Sequence, residues 1–247
     1  MRIVVTRAAH QAEDLASLLR ALGAEVIFLP VIRIVPPADP EPLRHAIANC
    51  DEYEWIIFTS ANAVAAFDAQ PRKAQIATIG SATRNAAEAR GLTVRLTPEK
   101  YVADALVQVF AGEKLSGSRI LIPSAAVTRD VVAPELRKRG AQVDVVEAYR
   151  NILPADAAAV AAKVFREPYP DWVTFASPSA VDNLVSLTGI ESLQQVKIAT
   201  IGPVTSDAVR KYGLNIAAEA AIQSAEGLAA VVAEADDSIG HTKVEAS

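Results

Sequence analysis

The sequence predicts an α/β chain made of two similar lobes, each a parallel sheet flanked by helices. Three observations predict it. Short apolar runs alternate with amphipathic helical stretches along most of the 247-residue chain, which is the grammar of βαβ units. A set of short motifs recurs 117 residues after its first appearance. Hydrophobic residues make up 51% and charged residues 21% of the chain, ample material for buried cores and unlike a disordered composition. At roughly 150 residues per domain, the length fits one large domain or two small ones.

The elements follow in order. Ile3–Thr6 reads as a first strand, and Ala12, Leu15, Leu19 and Leu22 share one face of the helix after it. Gly23 ends that helix and Glu25–Leu29 forms the next strand. Further strands are predicted at Trp55–Thr59, Gln75–Ile79, Arg119–Ile122, Gln142–Val146, Asp171–Phe175 and Lys197–Ile201. Each is bounded by small or turn residues and followed by helix.

The repeat refines this picture. Arg2-Ile3 recurs as Arg119-Ile120, Leu19-Arg20 as Leu136-Arg137, Gly23-Ala24 as Gly140-Ala141, and Phe58-Thr59-Ser60 as Phe175-Ala176-Ser177. Ile76 to Gly80 returns letter for letter as Ile198 to Gly202, with the offset grown to 122 by a small insertion. Val31–Pro37 and Ala148–Pro154 are equivalent stretches that follow the second strand of each repeat and carry extended-favouring, β-branched or proline residues. Two equivalent linkers place lobe one at 1–33 plus 152–236 and lobe two at 36–148, although two contiguous halves also satisfy the pattern. Residues 237–247 have little apolar content and read as a disordered tail.

Composition excludes several function classes. A net charge of −5 argues against nucleic acid or an anionic membrane surface as the main partner. The single cysteine, Cys50, permits no intrachain disulfide and no multi-cysteine zinc site. His10, His45 and His241 are far apart and show no ligand spacing, so no metal enzyme is expected. The apolar run near the start is three residues long, too short for a signal peptide, and no stretch approaches the ~18 apolar residues of a membrane span. A cytoplasmic protein without a membrane partner is expected. Dinucleotide, P-loop and serine-hydrolase glycine motifs are all missing.

Ligands of open parallel sheets bind beyond the carboxyl ends of the strands. Here those ends read Thr6-Arg7-Ala8, Thr59-Ser60-Ala61-Asn62, Gly80-Ser81-Ala82-Thr83, Pro123-Ser124-Ala125, Ser177-Pro178-Ser179 and Gly202-Pro203-Val204-Thr205. Ser60, Ser81 and Ser177 are natural N-caps, while Pro178 and Pro203 suit a first helical position. Any single such residue is most simply a cap. Six small polar turns together fit a ligand with several carboxylates, because helix starts offer unpaired N–H groups and partial positive charge.

The ordered set of motifs resembles the uroporphyrinogen-III synthase family. It comprises Val5-Thr6-Arg7, Ile57 to Val64, Ile79 to Thr83, Arg129 ahead of Leu136, Val146-Glu147-Ala148-Tyr149, Phe175 to Val181 and Ile201 to Thr205, and it covers residues 1 to about 235. The resemblance implies two lobes joined by a two-strand linker with the active site in the cleft between them, which favours the discontinuous partition. It also implies the activity, a cyclising lyase. Hydroxymethylbilane, a linear tetrapyrrole with eight carboxylates, is closed with loss of water and inversion of ring D. The family uses no metal or organic cofactor, and nothing demands more than a monomer.

Closure without guidance gives the unrearranged isomer, so the protein's task is orientation, with a proton donor for the departing hydroxyl. Tyr149 matches the family's tyrosine at the second linker and is the expected catalytic donor, since phenols ionise near pH 10 and are protonated at neutral pH. Its alternative is a tyrosine packed between lobes. Thr83 and Thr205 match family threonines and are expected on substrate carboxylates, with Thr59, Ser60, Ser81, Ser177, Ser179 and Pro203 in the same turns. Arg7 and Arg129 are candidates to pair with acetate or propionate groups, and Asn62 to donate to substrate or cap its helix. The chain departs from many family members at Ser124-Ala125, where Arg-Gly is common. The alternative function is a two-lobed polyanion sensor without chemistry. A glycosyltransferase lacks its acidic motif and its larger lobes, and a structural spacer needs no such turns.

Overall fold

A computed structural model describes residues 1–98, 110–126 and 132–236. In chain order its elements are β1 (Arg2–Val5), α1 (Ala9–Ala21), β2 (Glu25–Phe28), β3 (Arg33–Val35), α2 (Glu41–Ala48), β4 (Trp55–Phe58) and α3 (Ala61–Ala66). Next come β5 (Gln75–Thr78), α4 (Ser81–Ala89), β6 (Val94–Leu96), β7 (Arg119–Ala125), α5 (Val132–Lys138) and β8 (Gln142–Ile152). The chain continues with α6 (Ala157–Val164), β9 (Trp172–Phe175), α7 (Pro178–Leu193), β10 (Lys197–Thr200), α8 (Pro203–Lys211), β11 (Ala218–Glu219) and α9 (Ala225–Ala235). The expected tail at 237–247 and Arg129 lie outside the described residues.

Contacts divide the chain into two compact units, one formed by Met1–Arg33 with the chain from Ile152 onward, the other by Ile34–Asn151. The first unit holds a five-stranded sheet in the order β11-β10-β9-β1-β2, and the second a six-stranded sheet in the order β3-β8-β7-β4-β5-β6. By the sequence repeat, β1 and β2 correspond to β7 and β8, β9 to β4, and β10 to β5. The two sheets therefore share one strand order, and β3 is an addition at the edge of the second. Pairing is parallel throughout the first sheet and from β8 to β6 in the second, with Ile3 opposite Trp172 in the first and Ile56 opposite Ile76 in the second.

Parallel strands covered on both faces are apolar throughout rather than alternating. All four residues of β4 are buried. Ile56 and Phe58 enter one cluster with Phe67, Ile76, Leu121 and Tyr149, whereas Trp55 and Ile57 enter the other with Phe110, Ile120 and Leu136. The two faces are each closed by an edge-to-face aromatic pair, Phe58 with Phe67 at 5.4 Å and Trp55 with Phe110 at 4.8 Å. In the first unit Ile3, Val5, Leu15, Leu19, Trp172, Ala199 and Leu228 form one core beneath α1 and α9. Trp172 is fully buried, and its indole N–H donates to Asp236 Oδ2 at 2.6 Å.

Two expectations need correction. Pro123-Ser124-Ala125 is not a strand-to-helix turn but the end of β7, which runs to Ala125 because its partner β8 is eleven residues long. Ser124 is buried within that strand. Ser81 does not cap its helix: Gly80 takes that position, since its carbonyl accepts the first helical bond, from Arg84 N–H at 3.0 Å. Ser81 is thus the first helical residue and is exposed.

Candidate active site

The carboxyl end of the second unit's sheet brings Tyr149 and Ser60 together. β4 ends at Phe58, and two residues later Ser60 starts α3 with extended backbone (φ −156°, ψ 154°). Its Oγ accepts the Ala63 N–H at 3.1 Å, the N-cap bond expected of serine. The hydroxyls of Ser60 and Tyr149 are hydrogen bonded at 3.0 Å. One hydroxyl oxygen holds two lone pairs and one proton, so Ser60 serves its helix and the phenol at once.

Tyr149 reaches this position through a slip in the β7–β8 ladder. Ser124 pairs with Glu147, but Ala125 pairs with Tyr149, so Ala148 is passed over. Strict alternation would put Ala148 and Tyr149 on opposite faces, and a one-residue slip is the ordinary means of re-aiming a side chain. Both are buried, in the same cluster as Phe58 and with Ala125 packed against it. β7 lies between β8 and β4, so the small side chain of Ala125 leaves the phenol its path to Ser60. The Tyr149 carbonyl then accepts the Ala126 N–H at 3.0 Å.

Thr59 and Asn62 flank Ser60 and are half-buried. The neighbouring turn is made by Gly80 in a left-handed conformation (φ 85°, ψ 154°), and it sets Thr83 as the third residue of α4, 5% exposed.

The first unit repeats these turns. Ser177 has the same backbone as Ser60 (φ −161°, ψ 154°), and its Oγ accepts the Ala180 N–H at 3.3 Å. Pro178 begins α7, and the hydroxyls of Ser177 and Ser179 lie 3.2 Å apart. Pro203 begins α8 after Gly202, and Thr205, also third in its helix, is 3% exposed. Val204 and Ile222 leave 60% and 71% of their surfaces open at this end of the sheet.

Arg7 follows β1 and is half-buried. Burial pulls its guanidinium below the ordinary arginine value, while Asp14 and Glu226 oppose that shift. Glu226 is held below the ordinary glutamate value by its own backbone N–H, then by Ser224 and by Arg7. Sequence reasoning named Arg7 but missed Glu226. The signal available was Ser224, a readable N-cap whose Oγ accepts the Gly227 N–H at 3.1 Å. Among the described residues, no group of three or more His, Cys, Asp or Glu is placed to hold a metal ion. No described helix is long and apolar enough to cross a membrane.

The model of the uroporphyrinogen-III synthase (HemD) family matches residues 13–230. The chain belongs to the uroporphyrinogen-III synthase family. The uroporphyrinogen-III synthase of Synechococcus elongatus is 31% identical over 243 residues, covering 92% of this chain and 92% of that protein. Among solved structures, a mutant uroporphyrinogen III synthase from Thermus thermophilus superposes with a TM-score of 0.69 at 16% identity, over 95% of this chain and 98% of that one. The Helicobacter pylori enzyme gives a TM-score of 0.61 at 15% identity, over 96% and 100%. The two structural likenesses establish the fold, and the family match establishes the membership.

Proposed function

We propose that the chain closes hydroxymethylbilane to uroporphyrinogen III, a lyase reaction that releases water and inverts ring D. The family match across residues 13–230 carries this reading. Tyr149 is the proton donor. Its proton passes to the departing hydroxyl, the C–O bond breaks with its electron pair leaving as water, and the pyrrole nitrogen supplies electrons to form the azafulvenium. The substituted carbon of ring D then attacks to give a spiro intermediate, which fragments and recloses through the unsubstituted α-carbon of the inverted ring. The proton that carbon loses as the pyrrole rearomatises returns to the Tyr149 phenolate, so the net change is the loss of one water.

The turns at Thr59-Ser60-Ala61-Asn62, Ser81 to Thr83, Ser177 to Ser179 and Pro203 to Thr205 bind the substrate's carboxylates through their backbone N–H groups, together with the guanidinium groups of Arg7 and Arg129. Amide and guanidinium donors suit those groups, each charged hydrogen bond being worth about 1.5–3 kcal/mol. The open Val204 and Ile222 side chains suit pyrrole faces. The protein acts as a cytoplasmic monomer without a metal or organic cofactor.

The test supplies hydroxymethylbilane to purified protein, oxidises the products and resolves the type I and type III uroporphyrins by chromatography. A dominant type III peak that persists in chelator is expected. Type I alone, formed at the uncatalysed rate by folded protein, overturns the reading and leaves the polyanion sensor. Tyr149→Phe is expected to lower the rate by about a hundredfold, the usual scale of a general acid.

A further inference from the structure

We infer that Ser60 is a positioning residue that acts through Tyr149 by donating its hydroxyl proton to the phenol oxygen. The inference rests on the reading of Tyr149 as the proton donor. It goes beyond that reading by assigning Ser60 to the phenol rather than to a substrate carboxylate.

The geometry supplies the argument. The Ala63 N–H commits one lone pair of Ser60 Oγ and fixes the atom in space. Tyr149 Oη stands 3.0 Å away. If Tyr149 donated across this contact, its proton would be spent on Ser60 and would point away from the leaving group. With Ser60 as donor, the phenol proton is free for the substrate hydroxyl.

The chemistry selects the same direction. Once the proton has passed to the leaving oxygen, the phenolate can only accept, and a donor already in place stabilises it without reorganisation. Proton transfer is thereby coupled to a hydrogen bond that strengthens as charge develops on the phenol oxygen. Ser177, the repeat partner of Ser60, keeps the same cap but meets the hydroxyl of Ser179 instead. The cap is common to both units, and the phenol contact belongs to the second.

The experiment is a double-mutant cycle in the full chain, with kcat and KM for the type III product as readouts. Ser60→Gly is the first variant, since glycine at an N-cap costs helices little. Ser60→Thr keeps both cap and hydroxyl. The expected result for Ser60→Gly is a kcat lower by about tenfold to a hundredfold, the scale of one charge-assisted hydrogen bond, with KM within about twofold of the parent. That loss shrinks to less than about twofold in a Tyr149→Phe background, and Ser60→Thr restores most of kcat.

A Ser60→Gly loss of equal size with and without the Tyr149 hydroxyl overturns the inference. So does a loss carried by KM, which places Ser60 on the substrate, and so does an unchanged kcat. Parent-like kcat in Tyr149→Phe alone is the separate signature that the reading of Tyr149 itself has failed, and the inference falls with it.

Discussion

Gly80 and Gly202 occupy equivalent places in the repeat, yet alanine is expected to act oppositely at the two. Gly80 has φ 85° and ψ 154°, a region essentially closed to L side chains, so a Cβ there costs about 1–3 kcal/mol. Alanine also narrows the unfolded ensemble and returns about 0.4–1 kcal/mol. The net expectation for Gly80→Ala is a loss of about 1–2 kcal/mol. Gly202 has φ 163° and ψ 179°, extended backbone that any residue adopts. Its added Cβ would lie 2.9 Å from Cγ of Gln223, an exposed and flexible side chain. Displacing that side chain costs about 0.5–1.5 kcal/mol against the same entropic return, so Gly202→Ala lands within about 1 kcal/mol of the parent.

The sequence holds two tryptophans, Trp55 and Trp172, one buried in each unit. Urea unfolding of Gly80→Ala is therefore read from Trp55 in a Trp172→Phe background, and Gly202→Ala from Trp172 in a Trp55→Phe background. At a slope of about 2 kcal/mol per molar urea, the Trp55 midpoint falls by about 0.5–1 M. The Trp172 midpoint moves by less than about 0.5 M. Equal losses, or a larger loss at Gly202, would refute the conformational argument.

Two further predictions concern other groups. Burial, then the hydrogen bond to Asp144 at 3.0 Å, pushes the Tyr53 phenol up to about 12. A folded-state value raised above the unfolded one stabilises the protein at every pH below about 10, and that contribution is lost as pH rises from 10 through 12. Tyr53→Phe should flatten the alkaline fall in stability of the second unit over that window, and an unchanged fall would contradict the assignment. Asp236→Ala strips the buried Trp172 N–H of the carboxylate it donates to, an expected loss of about 1–3 kcal/mol. Chemical denaturation followed at Trp172 checks it, and a change below about 0.5 kcal/mol would show that another acceptor takes over.

Local chemistry made much of the architecture readable. Strands such as Trp55–Phe58 and Trp172–Phe175 are buried on both faces, the first an unbroken apolar run and the second interrupted by Thr174 alone. Ser60 and Ser177 are legible as caps because an N-cap bond reaches only three residues along the chain. What failed depended on a distant partner. The strand that ends at Ala125 outran its expected stop at Ile122 because β8 continues beside it. The three-residue β3 exists as a strand through its neighbour β8, and reads in isolation as linker. Gly80 displaced Ser81 from the cap through a backbone angle that residue types do not dictate.

The site divides along the same line. Tyr149 and Ser60 were each legible as candidates, one by family pattern and one by its turn. Their contact joins residues 89 apart in sequence and depends on a one-residue slip that no local pattern records. The influence of Glu226 on Arg7 is likewise tertiary.

The insertion of one unit within the other has a consequence for biosynthesis. Residues 33–152 form a contiguous stretch that carries all six strands of the second sheet, so that sheet can close while the ribosome is still working. β1 and β2 emerge first but lack a central partner: the Thr6 hydroxyl donates to the carbonyl of Thr174, 168 residues later. At roughly 5–20 residues per second, Ile3, Val4 and Val5 wait about 10–30 s on the nascent chain before β9 arrives to cover them. The part made first is therefore the part completed last, and the amino-terminal strand is where a stalled or truncated chain exposes apolar surface to chaperones and proteases.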